Sequence, residues 1–144
     1  MEFVSGVTLY KADGSSGLAD SILSEKDFVL YYFSAHWCHP CRQFTPVLKD
    51  FYEVVKDSGL EIIFMSSDES QEDMINYMKE SHGDWYCVEY GSALVDELKQ
   101  KFEVNGIPTL VVCRKDGSVI NADANDDVCD KEPSALFAEW KNQK

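Results

Sequence analysis

The apolar positions of this 144-residue chain change period along its length, and the changes mark its elements. Phe28–Phe33 (FVLYYF) is an unbroken apolar and aromatic run, the pattern of a strand buried on both faces. Leu60–Met65 reads as a second apolar strand. Between them, Phe44, Val47, Leu48, Phe51 and Val55 recur at helical spacing, so Cys38 through about Lys56 reads as one long helix. Pro46 falls inside it and is expected to kink it, and Asp57-Ser58-Gly59 ends it.

Around this centre the signals are shorter. Val4–Tyr10 alternates at Val7 and Leu9 and reads as a first strand, closed by the turn cluster ADGSSG. Leu18, Ile22 and Leu23 then form a short helical stripe. Ser66-Ser67-Asp68 supplies N-cap candidates for a helix carrying Met74, Ile75 and Met78 as core residues. Trp85–Val88 is a short strand or extended segment, and Leu94, Val95, Leu98 and Phe102 mark another amphipathic helix. Thr109–Cys113 reads as a strand that Lys115-Asp116-Gly117 turns into a hairpin with Ser118–Ala122. The acidic stretch Asp123–Glu132 reads as a solvated loop. Asp130 is the candidate cap of a terminal helix with Pro133 early and Leu136, Phe137 and Trp140 inward. Strand–helix alternation predicts parallel pairing through right-handed crossovers, and the hairpin adds an antiparallel pair. The expected class is α/β: one domain over residues 1–144, with a central mixed β-sheet and helices on both faces.

Charge narrows the partners. Thirteen basic residues stand against 26 acidic ones, a formal charge of −13. Such a surface repels phosphate backbones and anionic membranes, so neither nucleic acid nor membrane is an expected partner. Basic-rimmed protein partners are favoured instead. No apolar run approaches about 18 residues and no leader pattern opens the chain, so a cytoplasmic, or nuclear, location is expected. The five cysteines form one close pair and three scattered singles, which suits a reducing compartment.

That close pair carries the candidate chemistry. Cys38 and Cys41 lie in AHWCHPCR (Ala35–Arg42), where the buried strand ends and the long helix begins. Pro40 falls in the first helical turn, where a missing N–H costs nothing. Unpaired N–H groups and the positive helix end then point at the Cys38 sulfur and favour its thiolate, while Cys41 lies one turn further in. Such a pair could be a redox dithiol, a structural bridge or half of a zinc site. A reducing compartment argues against the bridge. Zinc lacks a second close Cys/His pair and would need scattered ligands such as His36 or Cys129, so no metal is expected. The second informative feature is Gly106-Ile107-Pro108-Thr109, directly before an apolar strand. A cis Ile107–Pro108 bond there would turn the Ile107 backbone outward toward an extended substrate peptide.

WCHPC after an aromatic-rich strand, with GIPT about seventy residues later, resembles the thioredoxin superfamily. YYFSAHWCHPCRQFTPVL is similar to the tryparedoxin/nucleoredoxin branch, whose usual pattern is YFSASWCPPCRxFTP. The resemblance runs from about Val4 to the terminal helix. It implies a thioredoxin-like three-layer sandwich and a cis Pro108 packed against the dithiol. It also implies thiol–disulfide exchange that reduces protein disulfides without a cofactor. By the resemblance Cys38 is the exposed nucleophile and Cys41 the resolving thiol. Trp37 lines the substrate groove, and Ile107-Pro108 forms its peptide-docking edge. Disulfide-containing proteins are the implied substrates. An external donor (a reductase, a thioredoxin or a small thiol) resets the pair.

Some positions depart from the family pattern. Ser67-Asp68-Glu69-Ser70 stands for the family's acidic segment without its tryptophan, leaving Asp68 as a candidate proton-handling group. Tyr32 occupies the place of the buried aspartate of thioredoxins proper, so proton transfer at Cys41 falls to water, Asp68, His36 or no dedicated group. His39 stands where proline or glycine is usual. It either stabilises the Cys38 thiolate and raises the potential, or is an exposed neutral imidazole. Pro40 is the reducing-type choice. Two other functions remain open: a redox-dependent binding module with little turnover, and an oxidant or isomerase tuned by His39. Cys113 and Cys87 read as buried inert thiols, Cys129 as an exposed one open to oxidation, and His82 as a helix-terminal residue.

Overall fold

The chain is described by a computed structural model covering residues 2–143. Its strands are β1 (Thr8–Tyr10), β2 (Ser16–Leu18), β3 (Phe28–Ser34), β4 (Leu60–Ser66), β5 (Tyr86–Cys87), β6 (Thr109–Arg114) and β7 (Val119–Asn121). Its helices are α1 (Ala19–Ile22), α2 (His39–Val55), α3 (Gln71–Ser81), α4 (Ala93–Lys101), α5 (Asn125–Asp130) and α6 (Pro133–Asn142). The strands form one mixed sheet in the order β2-β1-β5-β4-β3-β6-β7.

Parity along the three long strands decides what packs where, because successive side chains leave opposite faces. Phe28, Leu30 and Tyr32 of β3, Ile62 and Phe64 of β4, and Leu110 and Val112 of β6 face α2, α3, α5 and α6. Val29, Tyr31 and Phe33, with Ile63, Met65 and Val111, face α4 and the N-terminal segment. Both faces are covered, as expected. Full burial of each large apolar side chain contributes roughly 1.5–3 kcal/mol, so the two clusters are the main source of stability.

The register brings the functional loops together. β3 pairs in parallel with β4 from Phe28↔Leu60 to Ser34↔Ser66, and antiparallel with β6 from Phe28↔Arg114 to Phe33↔Thr109. The end of β3, the end of β4 and the start of β6 therefore meet at one edge of the sheet. The loops leaving them are the dithiol loop, Ser66–Asp68 and Gly106–Pro108. The chain's connections also diverge to opposite sides of β3, which is where open α/β sheets place their sites.

Five expectations change. The first strand is only Thr8–Tyr10, after a turn of 3-10 helix at Glu2–Val4. The ADGSSG cluster runs into β2, which hairpins back on β1, so Leu18 is an exposed strand residue rather than part of a helical stripe. The cap of α3 is Ser70, whose hydroxyl accepts the Asp73 N–H, not a residue of Ser66–Asp68. The acidic stretch after β7 is not a loop. Ala124 and Val128 are buried among the helices, and α5 turns its carboxylates outward, with Asp126 and Asp127 in the first turn where the helix dipole favours them. For the same reason the cap of α6 is Glu132, which accepts the Ala135 N–H, and not Asp130. Pro46 lies inside α2 without ending it.

His82 is helix-terminal as expected, closing α3, but it is also buried. Its ring lies 4.4 Å from Tyr77 and 4.5 Å from Phe64, and its Nδ1 accepts the Trp85 indole N–H at 3.0 Å. Burial pulls its pKa down to about 3. The folded state holds this imidazole neutral, whereas the unfolded chain protonates it near its ordinary value of about 6.5. His82 therefore contributes stability that is complete above pH 6.5 and lost as pH falls toward 3, at up to about 1.4 kcal/mol per pH unit. Urea unfolding of wild type and His82→Phe between pH 4 and 7.5 is expected to show a shallower acid slope in the variant. Equal slopes would exclude His82 as the acid-sensitive group.

Candidate active site

The site begins with a helix cap made by sulfur. Cys38 has extended backbone angles at the N-cap of α2, and its Sγ accepts the Cys41 backbone N–H at 3.3 Å, where a serine or aspartate oxygen is usual. Pro40 is in the first turn and leaves no N–H unsatisfied. The Ile107–Pro108 bond is cis, and the Ile107 carbonyl lies 3.8 Å from Cys38 Sγ. That loop closes over the thiol, so Cys38 is only 7% exposed rather than the openly exposed nucleophile expected from the resemblance. Trp37 beside it is 58% exposed. Both thiols are free.

Cys41 is fully buried. Burial, reinforced by the bond to Cys38, pushes its pKa up to about 12; the Ser34 hydroxyl and the Ala35 backbone oppose the shift. Beneath it lies a connected set of buried hydroxyls. Tyr32 and Thr45 are 2.7 Å apart, Thr45 and Tyr77 2.5 Å, and Tyr77 and Ser34 2.7 Å. Thr45 Oγ1 lies 2.8 Å from the Cys41 carbonyl, to which it can donate. Burial raises both tyrosines above the ordinary phenol range, so the set is neutral. Tyr32 was visible in the sequence, and Thr45, one turn beyond Cys41, could have been inferred. Tyr77 could not, because nothing local says which face of α3 meets this pocket.

The two candidates for proton handling have other partners. Asp68 is buried and spends one oxygen on the His36 backbone N–H at 2.6 Å and the other on the Ser66 hydroxyl at 2.7 Å. It anchors the dithiol loop. The His36 ring lies against Tyr77, and its Nε2 meets Glu80 at 2.9 Å. Neither side chain is hydrogen-bonded to Cys41. The His39 side chain is exposed and makes no hydrogen bond with the described residues. Ser67 ties the edge together: its N–H donates to the Ser34 carbonyl, its carbonyl accepts the Trp37 indole N–H at 2.9 Å, and its hydroxyl lies 2.6 Å from Lys99 Nζ.

Asn125 is a residue the sequence reading did not find. Its Nδ2 donates to the Pro108 carbonyl at 2.7 Å and its Oδ1 accepts the Leu110 N–H at 2.9 Å. The side chain thereby continues the β6 ladder past the end of β7 and holds the cis-proline loop. It was hidden because its segment read as a loop. Between Trp37, Ser67, Lys99 and the Val104–Ile107 segment lies an open groove of about 260 Å³. Among the described residues no three His, Cys, Asp or Glu side chains gather as metal ligands. No helix among them is long and apolar enough to cross a membrane. Cys87 and Cys113 are buried, with burial raising their pKa values to about 11 and about 12, and Cys129 is exposed.

A family model described as "Thioredoxin-like" matches residues 26–119. The chain belongs to the thioredoxin superfamily, in its nucleoredoxin/tryparedoxin branch. It is 36% identical to a nucleoredoxin of Danio rerio over 82% of this chain and 28% of that protein. It is 38% identical to a tryparedoxin of Trypanosoma brucei brucei over 79% of each. Among solved structures, a thioredoxin from Wuchereria bancrofti superposes with a TM-score of 0.85 at 50% identity, covering 96% of both chains. The chain thus spans between a quarter and a third of that nucleoredoxin and most of the tryparedoxin. Membership of this thioredoxin branch supports thiol–disulfide oxidoreductase chemistry as the general class.

If Asn125 holds the thioredoxin-type proline loop, Asn125→Ala leaves a carbonyl and an amide without partners. The expected cost is about 1–3 kcal/mol in urea unfolding, with faster hydrogen exchange at the Leu110 amide. Unchanged exchange there would remove Asn125 from this role.

Proposed function

We propose that this protein reduces protein disulfides through Cys38 and Cys41. The observation that carries the reading is the Cys38 sulfur at the head of α2, receiving a backbone N–H and facing the Ile107 carbonyl beside an open groove. The Cys38 thiolate attacks one sulfur of a substrate disulfide. That S–S bond breaks, a mixed disulfide forms, and the other substrate sulfur leaves as a thiolate. Cys41 then attacks Cys38 Sγ, and the second substrate sulfur leaves, taking up the proton that Cys41 gives up. The substrate has gained two electrons and the protein holds a Cys38–Cys41 disulfide. A flavin reductase, a thioredoxin or a low-molecular-weight thiol must return the two electrons.

The asymmetry of the thiols supports this order. Cys41 stays protonated while burial and the Cys38 sulfur oppose its charge. Once Cys38 is in a mixed disulfide, its part of that opposition is gone. The Ser34 hydroxyl, held by Tyr77 and through it by Thr45 and Tyr32, remains to stabilise the Cys41 thiolate as it forms. Trp37 and Ile107 line the groove that receives the substrate backbone, and the cis Pro108 follows directly on its Ile107 wall. Asp68 and His36 act through the loop they hold. A reducing cytoplasmic or nuclear setting suits an exposed Cys129 and two further free thiols. A second reading, a redox-dependent binding module with little turnover, is favoured by the limited exposure of Cys38 beside a largely exposed Trp37.

An insulin turbidity assay with dithiothreitol separates them. Wild type is expected to accelerate precipitation, Cys38→Ser to abolish the effect, and Cys41→Ser to accumulate a mixed disulfide. No rate above background, with partner binding retained, would leave the binding module instead. The reduction potential of the pair tests direction. A value near about −270 mV is thioredoxin-like, and one between about −180 and −120 mV belongs to an isomerase or oxidant. Because His39 is exposed and unbonded, His39→Ala is expected to move the potential by less than about 30 mV, a tenfold change in the equilibrium constant. A larger shift toward more negative values would give His39 the tuning role.

A further inference from the structure

The groove beside Cys38 holds one charged side chain among the described residues, and it is a cation in a strongly acidic protein. Lys99 lies in the last turn of α4, half-buried, with its Nζ 2.6 Å from the Ser67 hydroxyl. Of its three N–H donors, that bond uses one. Although acidic residues outnumber basic ones by 26 to 13, Lys99 makes no ion pair with the described residues. Lys11, Lys56 and Lys131, by contrast, are each paired with a carboxylate.

We propose that the groove contains a carboxylate subsite, in which Lys99 Nζ pairs with a carboxylate of the molecule whose sulfur faces Cys38. The inference rests on the reading of Cys38 as the residue that meets substrate. Geometry links the two positions. Ile107 lines the groove and places its carbonyl 3.8 Å from Cys38 Sγ. Ser67 holds the other wall, with its carbonyl on the Trp37 indole and its hydroxyl on Lys99. The indole and the ammonium therefore line one cleft, and the thiol lies at its margin, against the carbonyl of Ile107, which lines it.

The chemistry favours a carboxylate over a phosphate. A single ammonium at a helix C-terminus, with no guanidinium beside it, matches one negative charge rather than two. The indole wall and partial burial make the pair worth more than a fully exposed ion pair. The net charge of −13 repels anions elsewhere, so a carboxylate is accepted by position and not by a general field. Two sources present this group: an acidic residue beside the cysteine of a protein substrate, and the free carboxylates of a small peptide thiol.

The test uses unreactive probes and the reduced full chain, so it does not depend on turnover. One pair is S-methylglutathione and its dimethyl ester. The other is a capped peptide with glutamate next to an S-methylated cysteine, and its glutamine counterpart. Binding is read by Trp37 fluorescence or amide shifts at Ile107. In wild type, loss of the carboxylate is expected to weaken binding about tenfold in at least one pair, and the responding pair identifies the source. In Lys99→Gln the same loss is expected to matter less than twofold, and in Lys99→Glu the preference should reverse. An equal carboxylate preference in wild type and Lys99→Gln, no preference in wild type, or no binding of any probe overturns the subsite. Failure of the insulin assay alone overturns the reductase reading and leaves this result standing.

Discussion

The N–H of Cys41 aimed at the sulfur of Cys38 organises this molecule's chemistry. It caps α2, so the longest helix among the described residues starts at the sulfur proposed as the nucleophile. It places the positive end of the helix dipole at a group that gains from carrying negative charge. It also ties the two thiols together, so that the deeper one is held protonated in part by the outer one. Fold and reactivity therefore share one contact, and moving the start of α2 by a residue would lose both.

That contact is precise only because three loops hold it. The register of β3 against β4 and β6 brings Ser34, Ser66 and Thr109 to the same sheet edge. Asp68 grips the His36 amide, Ser67 grips Trp37, and Asn125 grips the Pro108 carbonyl and the Leu110 N–H, backbone groups that would otherwise lack ladder partners. Below, four buried hydroxyls bond to one another, Tyr32's at the position that the resemblance gives to a buried aspartate, and they carry no charge. A neutral set costs little to desolvate, whereas a buried carboxylate must be compensated. Among the described residues no strong base bonds Cys41, and in the proposed exchange the Ser34 hydroxyl and the departing thiolate take that part.

Much of this was legible along the chain. FVLYYF, the helical stripe from Phe44 to Val55, and the two motifs located the strand, the helix, the dithiol and the cis-proline loop. Each of these signals is local: a run, a period or a short spacing. The misreadings were of segments whose burial is thin or one-sided. Asn125–Asp130 is acidic on its outer face and buries little more than Val128, with Ala124 at its cap, so its composition outweighed its packing. Ser16–Leu18 is too short to alternate visibly. The true caps, Ser70 and Glu132, each sat beside equally good alternatives.

Sequence alone determined the class of fold, the pair of thiols and the proline opposite them, because apolar periodicity and helix-start chemistry are properties of neighbouring residues. Tertiary structure decided how open those thiols are, how far the Cys41 pKa is raised, and what surrounds them. Cys38 is covered by a loop from about seventy residues away, Tyr77 arrives from α3, Asn125 from α5 and Lys99 from α4. Burial and hydrogen-bond partners depend on which faces and strand ends the register brings together. No local pattern in this chain encodes that meeting.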